Sequence, residues 1–462
     1  MPSLDDNPRR QSAIDFLWNR INYERPVSGK TSINHPFRLE RMRSLLRHLS
    51  LDHYMSPGAP IVHIAGTKGK GSTALFVTEL LRASGKKVGT YTSPHLECIE
   101  ERFRINGDSC SSEILIKTIE KVQPVVQSMD DEPAGPPTFF ELTTAIAFQI
   151  FADSECDVIV LEVGLGGRLD STNVCSPAVT AITSIGLDHQ HILGDTLEEI
   201  AFEKAGIIKP DTPVVCGRID ESPLHVIRKI AKSQASPIKT FGEDFDVQSI
   251  ACRPWGSKNR WTGNGQSLSF DLAMEGEHQA INAAVAIEIV RQLCRATTIN
   301  FDPDWTETLS NVSAPGRLER HHLAGPTNDN GTWLWIDSAH NKDSMQALVN
   351  AIEIRSASPV DVIFGTSSDK DAQGMLEQLA PVTRRVFVTQ FKGNPRFVPA
   401  EQLEECLPPS LTDGAVTEKD LSIALDRCVS EADEDSVIVA CGSFFIAAEA
   451  KQWLRRYQRT TS

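Results

Sequence analysis

A chain of 462 residues is longer than one hydrophobic core usually covers, so two or more domains are expected. With 40% hydrophobic and 23% charged residues, its composition is that of an ordinary globular protein. Its 61 acidic against 46 basic residues, a formal charge of −15, exclude broad contact with nucleic acid or an anionic membrane, which need a basic surface.

The N-terminal segment MPSLDDNPRR has no apolar stretch behind it and does not resemble a signal peptide. No apolar run is long enough to span a bilayer. The ten cysteines are scattered without a CxxC pair, which disfavours a zinc cluster and suits free thiols in a reducing, cytoplasmic compartment.

Residues 11–57 carry helical periodicity, with Ile14, Leu17 and Ile21 on one face and Leu39, Met42, Leu45 and Leu46 on another. A short apolar strand, residues 61–65, runs into the glycine-rich segment 66–73, then a helix over roughly 72–84 and a strand over 88–92. This is a βαβ unit, the sign of a parallel sheet covered by helices. The pattern continues with a buried helix over 139–151, strands over 157–163 and 178–185, a helix over 197–205 and a strand over 212–216. These strands are apolar on both faces, as central parallel strands are. Residues 235–275 fit no helix, but the alternation of Leu268, Phe270 and Leu272 with Ser267, Ser269 and Asp271 predicts a half-buried strand near a sheet edge.

A helix over 279–294 follows, and then a polar, turn-rich stretch, 297–315, read as the domain boundary. A second α/β pattern occupies the remainder: strands over 333–336, 360–364, 385–389 and 437–440, with helices over 344–354 and around 376–379. The expected fold is therefore α/β. Residues 1–300 would form a parallel-sheet, P-loop-type domain with a helical N-terminal segment, and residues 301–462 a smaller Rossmann-like α/β domain. Two such domains facing each other across a cleft would suit a nucleotide held by both.

The segment Gly66-Thr67-Lys68-Gly69-Lys70-Gly71-Ser72-Thr73 sits between a strand and a helix. Its glycines let several backbone N–H groups converge on one anion, and the helix start adds its positive end. Lys70 could neutralise phosphates, and Ser72 or Thr73 could offer a hydroxyl to magnesium. The spacing is not that of the standard P-loop, which needs four residues between its first glycine and GK[ST]. Glu162, near the end of its strand, and His189, after the next one, would face the edge where ligands bind in parallel sheets.

These motifs together resemble the folylpolyglutamate synthase and dihydrofolate synthase family, a branch of the Mur-type amide ligases. Residues 66–72 resemble the family's GTNGKGS, residues 91–96 its YTSPHL, and residues 161–173 its EVGLGGRLDATN. Asp188-His189, Glu203 to Lys209, Pro315-Gly316-Arg317 and Asp337-Ser338-Ala339-His340-Asn341 follow in the family's order. Two positions depart: Lys68 stands where the family usually has asparagine, and Ser338 where it usually has glycine.

The resemblance implies ATP as nucleotide, bound by the loop 66–73 with Asn282 toward adenine and Arg317 and Asp337 toward phosphate and ribose. It implies two magnesium ions, one near Ser72 and Glu162 and the other near Ser93, Glu162 and His189. It further implies that Lys70, Lys204 and His340 serve catalysis, with Lys204 a candidate for carbamylation. An unmodified Lys204 paired with Glu162, or one facing solvent, is the alternative. The implied reaction activates a carboxylate as an acyl phosphate and joins it to L-glutamate, with dihydropteroate or reduced folate as acceptor. Phe139, Phe140 and residues 93–96 are candidates to flank the pterin. A monomer using both acceptors is expected. The competing readings are a one-acceptor enzyme, a cell-wall Mur ligase and a nucleotide-binding protein without catalysis.

Overall fold

The computed structural model describes residues 7–21, 39–56, 60–130, 135–252, 255–323, 331–392, 394–433 and 436–461. Two units emerge. One comprises residues 1–250, 258–271 and 277–312; the other comprises 251–257, 272–276 and 313–462. The main division, after residue 312, falls inside the turn-rich stretch 297–315, which also holds a 3-10 helix, Pro303–Asn311, in the first unit. It is led by Asp302, whose side chain accepts from Asp304 N–H, and buries Thr306 and Leu309.

The first unit is built on eight strands: β1 (Ile61–Ala65), β2 (Val88–Tyr91), β3 (Phe103–Ile105), β4 (Asp108–Ser109), β5 (Val158–Glu162), β6 (Val179–Ile182), β7 (Val214–Cys216) and β8 (Ile238–Thr240). Their spatial order is β4-β3-β2-β5-β1-β6-β7-β8. β2 through β8 in that order run parallel, while β3 pairs antiparallel with β2 and with the edge strand β4. β1 lies between β5 and β6, and every residue of β1 and β5 is buried, which is why both read as continuous apolar runs.

The helix Phe139–Asp153 starts on a capping box made by Thr138 and Glu141, and Glu141 also pairs with Arg41 at 2.8 Å. The expected N-terminal helices are Pro8–Trp18 and Leu39–His48; residues 22–38 of the expected helical stretch lie outside the described residues. Ile21 falls past the first helix and is 42% exposed, so it does not extend the Ile14–Leu17 face as the periodicity predicts. The alternating segment 268–272 does form a strand. It belongs to a separate three-stranded sheet of β9 (Phe245–Cys252), β10 (Ser257–Gly263) and β11 (Gln266–Leu272), where β11 is an edge.

The second unit's sheet has six strands: β12 (Glu319–Leu323), β13 (Thr332–Ile336), β14 (Val360–Phe364), β15 (Thr383–Gln390), β16 (Val416–Asp420) and β17 (Val437–Cys441). The order is β12-β13-β17-β14-β15-β16, parallel except for β12. Helices Lys342–Arg355, Ala372–Leu379 and Leu421–Ser430 bury apolar residues beside it. Among the described residues, no helix is long and apolar enough to cross a membrane.

Candidate active site

The loop after β1 leads into the helix Lys70–Ala83. Gly69 is its N-cap at φ 83°, and no side chain caps the first turn. The helices beginning at Phe139, Leu197 and Lys342, by contrast, each spend a Thr or Asn side chain on their first amides. An uncapped start leaves orphan N–H groups and the positive helix end for an anion, which is what a phosphate requires. Gly69 is obligatory there: besides its left-handed φ, a Cβ would sit 2.3 Å from Asn282 Oδ1. That same approach places the half of the helix Glu277–Ala296 that bears Asn282 directly on the loop.

The segment following β6 holds the loop in shape. Thr67 N–H donates to Ser184 O at 2.8 Å, and Gly186 N–H donates to Thr67 Oγ1 at 3.0 Å. Lys68 N–H donates to Ser184 Oγ at 2.9 Å, and Lys68 O accepts from Thr183 Oγ1 at 2.6 Å. These anchors were not singled out from sequence. The hydroxyl pair Thr183-Ser184 immediately after an apolar strand is the signal that could have found them.

Three lysines surround this turn. Lys70 Nζ folds back to donate to Gly66 O at 2.9 Å, and Lys204 Nζ donates to the same oxygen at 3.0 Å. Lys68 Nζ stands 3.8 Å from Asp188 Oδ2. Lys204 is 4% exposed, which overturns the solvent-facing alternative, and its side-chain hydrogen bond runs to a carbonyl rather than to Glu162. Burial, reinforced by the charge of Lys70, lowers its pKa to about 7, against the opposing pull of Asp188.

Glu162 ends β5 and is 5% exposed. Its Oε2 accepts from Ser93 N–H at 3.1 Å, and its carboxylate borders Gly71, where a Cβ would lie 3.5 Å away. The structure therefore brings Glu162, Ser93 and the loop around Ser72 together. His189 lies three residues beyond Gly186 at φ 50°, with Nε2 3.8 Å from Asp188 Oδ1. Among the described residues, no group of three or more His, Cys, Asp or Glu side chains could hold a metal by itself. A buried carboxylate beside hydroxyls and a phosphate cradle suits magnesium, which takes few protein ligands and fills its shell with phosphate and water oxygens.

Asp170 supports the loop after Glu162. Its Oδ2 accepts from Gly164 and Leu165 N–H at 3.1 and 3.0 Å, and burial holds its pKa above the usual carboxylate value. Phe139 is fully buried and stacks on Trp18 at 4.7 Å, so it is core rather than a ligand wall. Phe140 is partly buried and packs on Gly164, whose Cβ would meet its ring at 2.3 Å.

In the second unit, the carboxylate of Asp337, just past β13, accepts from Leu318 N–H and Ala339 N–H, both at 2.7 Å. Burial raises its pKa, with Arg317 opposing. Asp337 thus ties the Arg317 turn to the His340 loop. His340 Nδ1 donates to Ser338 O at 2.9 Å, which sets its tautomer. Arg317 lies over the Phe444 ring at 5.5 Å. Gly316 N–H is held by Glu319 at 3.0 Å; burial would raise that carboxyl, but His321, Lys451 and the amide bring it down to about 2. The Ser338 hydroxyl is buried and finds no hydrogen-bond partner among the described residues.

Residues 64–290 match the Mur ligase middle domain and residues 316–444 the Mur ligase glutamate ligase domain. A dihydrofolate synthase/folylpolyglutamate synthase from Bacillus subtilis is 31% identical over 421 residues, covering 90% of this chain and 95% of that one. A protein of the same description from Mycobacterium tuberculosis is 35% identical over 398 residues, covering 81% and 79%. The solved structure of Mycobacterium tuberculosis folylpolyglutamate synthase complexed with ADP is similar at a TM-score of 0.83 and 30% identity, covering 96% of this chain and 98% of that chain.

Proposed function

This chain belongs to the folylpolyglutamate synthase and dihydrofolate synthase family of Mur ligases, and from that premise we propose that it glutamylates both dihydropteroate and reduced folates. It is an ATP-dependent carboxylate–amine ligase that adds glutamate to such substrates. The observation that carries the reading is the uncapped helix start at Gly69, with Lys70 as the helix's first residue and Asn282 of the helix Glu277–Ala296 set against Gly69.

The chemistry follows from what a carboxylate cannot do unaided. An amine does not displace oxide from it at useful rates, so an oxygen of the acceptor carboxylate first attacks the γ-phosphorus of ATP and ADP departs. The glutamate nitrogen then attacks the acyl phosphate carbon, phosphate leaves, and the nitrogen gives up a proton. We assign residues 66–73 to the phosphates, with Lys70 stabilising the charge that develops on them and Asn282 set toward adenine. Magnesium, held through Ser72, Ser93, Glu162 and His189, would supply further neutralisation of phosphate charge. In the second unit we assign Arg317 to a phosphate and His340 to positioning the nucleotide, with Asp337 holding both loops.

Lys204 is the candidate for carbamylation. A buried ammonium with pKa near 7 is largely neutral at slightly basic pH, and a neutral amine is the form that adds carbon dioxide. The ten free cysteines of the chain support a reducing cytoplasm, and a monomer is part of the proposal.

Mass spectrometry of the products formed from ATP, L-glutamate and each acceptor separately tests the assignment. We expect a glutamyl product from dihydropteroate and a longer tail from reduced folate. Both acceptors present a pterin joined through an aromatic amine to a free carboxylate, and differ in whether a glutamate intervenes. Misplacing reacting atoms by about 1 Å costs on the order of 100-fold, so one site must hold the carboxylate constant while the pterin shifts. Product from one acceptor alone would reduce the enzyme to a single activity. Turnover only on a uridine-linked peptide would overturn the branch.

A further inference from the structure

β1 reads Ile-Val-His-Ile-Ala, and all five residues are buried. A fully buried histidine in an otherwise apolar strand costs free energy unless its ring nitrogens are hydrogen-bonded. Both are. His63 Nε2 lies 2.8 Å from Thr172 Oγ1, and Nδ1 lies 3.7 Å from Cys175 Sγ. The Thr172 hydroxyl donates to Asp170 Oδ1, which also accepts from Thr172 N–H at 3.0 Å. Asp170 Oδ2 takes the amides of Gly164 and Leu165, the second and third residues after Glu162. These partners fix every proton in the row. Thr172 gives its one hydroxyl proton to Asp170, so its oxygen accepts from His63 Nε2–H. Nδ1 therefore carries the lone pair and receives the Cys175 thiol proton. Burial agrees with both assignments: it lowers the His63 pKa to about 3, helped by Lys209, and pushes the Cys175 thiol up to about 12.

The place of His63 in the sheet gives this row a consequence. His63 pairs with Leu161 and Ile64 with Glu162, and the glycine loop begins two residues after Ile64. One side chain on the strand that delivers residues 66–73 thus reaches, through Thr172 and Asp170, the backbone that follows Glu162. Fully satisfied buried networks rigidify what they join. We propose that His63 is a positioning residue for the ligation reaction: as a neutral Nε2–H donor it fixes Thr172 and Asp170, and through them it sets the Glu162 carboxylate against the phosphate loop. This rests on the reading of Glu162 as a magnesium ligand. His63 acts through the Gly164 and Leu165 amides, so its loss displaces the carboxylate without removing a group from the site.

Three quantities test this on the full chain: the magnesium concentration that half-saturates ADP binding in calorimetric titration, kcat at saturating substrates, and the thermal midpoint. His63→Leu keeps the bulk and removes the donor. It is expected to raise the magnesium requirement and lower kcat about 10-fold each, a displacement smaller than the 1 Å that costs on the order of 100-fold. His63→Gln returns an amide N–H to the place of Nε2 and should stay within about 3-fold of wild type on the same scale. Thr172→Val breaks the row at its middle and should be at least as impaired as His63→Leu. The double variant should be no worse than Thr172→Val, because both changes cut one chain. A histidine that served stability alone would lower the midpoint and leave the magnesium requirement untouched, and that result in His63→Leu overturns the proposal. His63→Gln as impaired as His63→Leu overturns it too. A wild-type magnesium requirement in Thr172→Val does so whether or not His63→Leu folds. An unchanged magnesium requirement in Glu162→Gln would instead bring down the metal-ligand reading on which the proposal rests.

Discussion

Replacing Lys70 by alanine is expected to lower kcat with saturating ATP on the order of 100- to 1000-fold, the loss associated with removing one donor aimed at transition-state charge. The ammonium sits at the first residue of an uncapped helix and is held over the turn by the Gly66 and Thr67 carbonyls at 2.9 and 3.4 Å. A side chain that only braced the turn would act through stability instead. The turn keeps its anchors from Ser184 and Gly186 in the variant, so the thermal midpoint should move little. The measurement is therefore paired: steady-state rate at saturating ATP, and thermal unfolding. An unchanged kcat with a lowered midpoint would show that Lys70 is structural.

Lys204 carries the second large effect, and its sign differs between the two forms the side chain can take. Alanine here is expected to cost on the order of 100-fold in turnover, as a displacement of the reacting groups by about 1 Å does, because Lys204 Nζ braces the loop at Gly66 O. If the working form is the carbamate, a short carboxylate such as formate restores part of the rate by replacing an anion. If it is the ammonium, formate does nothing and a short alkylamine restores it. We expect rescue by formate. The wild-type rate should also rise with pH through about 7 as the neutral amine forms, and fall when carbon dioxide is removed. Stability has the same direction. Between about 7 and the ordinary value of 10.5, the unfolded chain holds this proton and the folded one does not. An unmodified Lys204 therefore makes the fold more stable as pH rises across that window, and less stable as pH falls through it. A rate independent of both carbon dioxide and formate would contradict the carbamate.

Much of the first unit was legible because its signals are local. β1, the helix Leu197–Ala205 and β14 have the predicted bounds, and the glycine loop falls where strand and helix periodicities meet. Glu162 was legible for a topological reason: the C-terminal end of a central parallel strand faces the ligand edge. Other features hid for identifiable reasons. The hairpin of β3 and β4 turns on Asn106-Gly107, both at positive φ, a two-residue signal that the short flanking strands made easy to pass over. The helix Ser112–Ser128 contains Pro124, which breaks the expected pattern, yet buries Leu115, Ile119, Val122 and Val126. Contacts between distant segments were beyond the sequence altogether. Nothing in a linear reading joins Asn282 to Gly69, Lys204 to Gly66, or Asp337 to the amides of Leu318 and Ala339. The last of these changes how a residue is understood. Asp337 was expected to face ribose or phosphate, but its oxygens hold the Arg317 and His340 loops, so its effect on nucleotide is assigned through them.

The central claim is that a carboxylate is activated by phosphoryl transfer at the loop of residues 66–73 before glutamate attacks it. An acceptor whose reacting carboxylate is labelled with a heavy oxygen isotope tests this most directly. One carboxylate oxygen bridges to phosphorus in the acyl phosphate and leaves with it when the amide forms. Mass analysis of the released phosphate should therefore find one labelled oxygen per amide produced, with none in the nucleotide. Unlabelled phosphate, or label recovered in AMP, would contradict it.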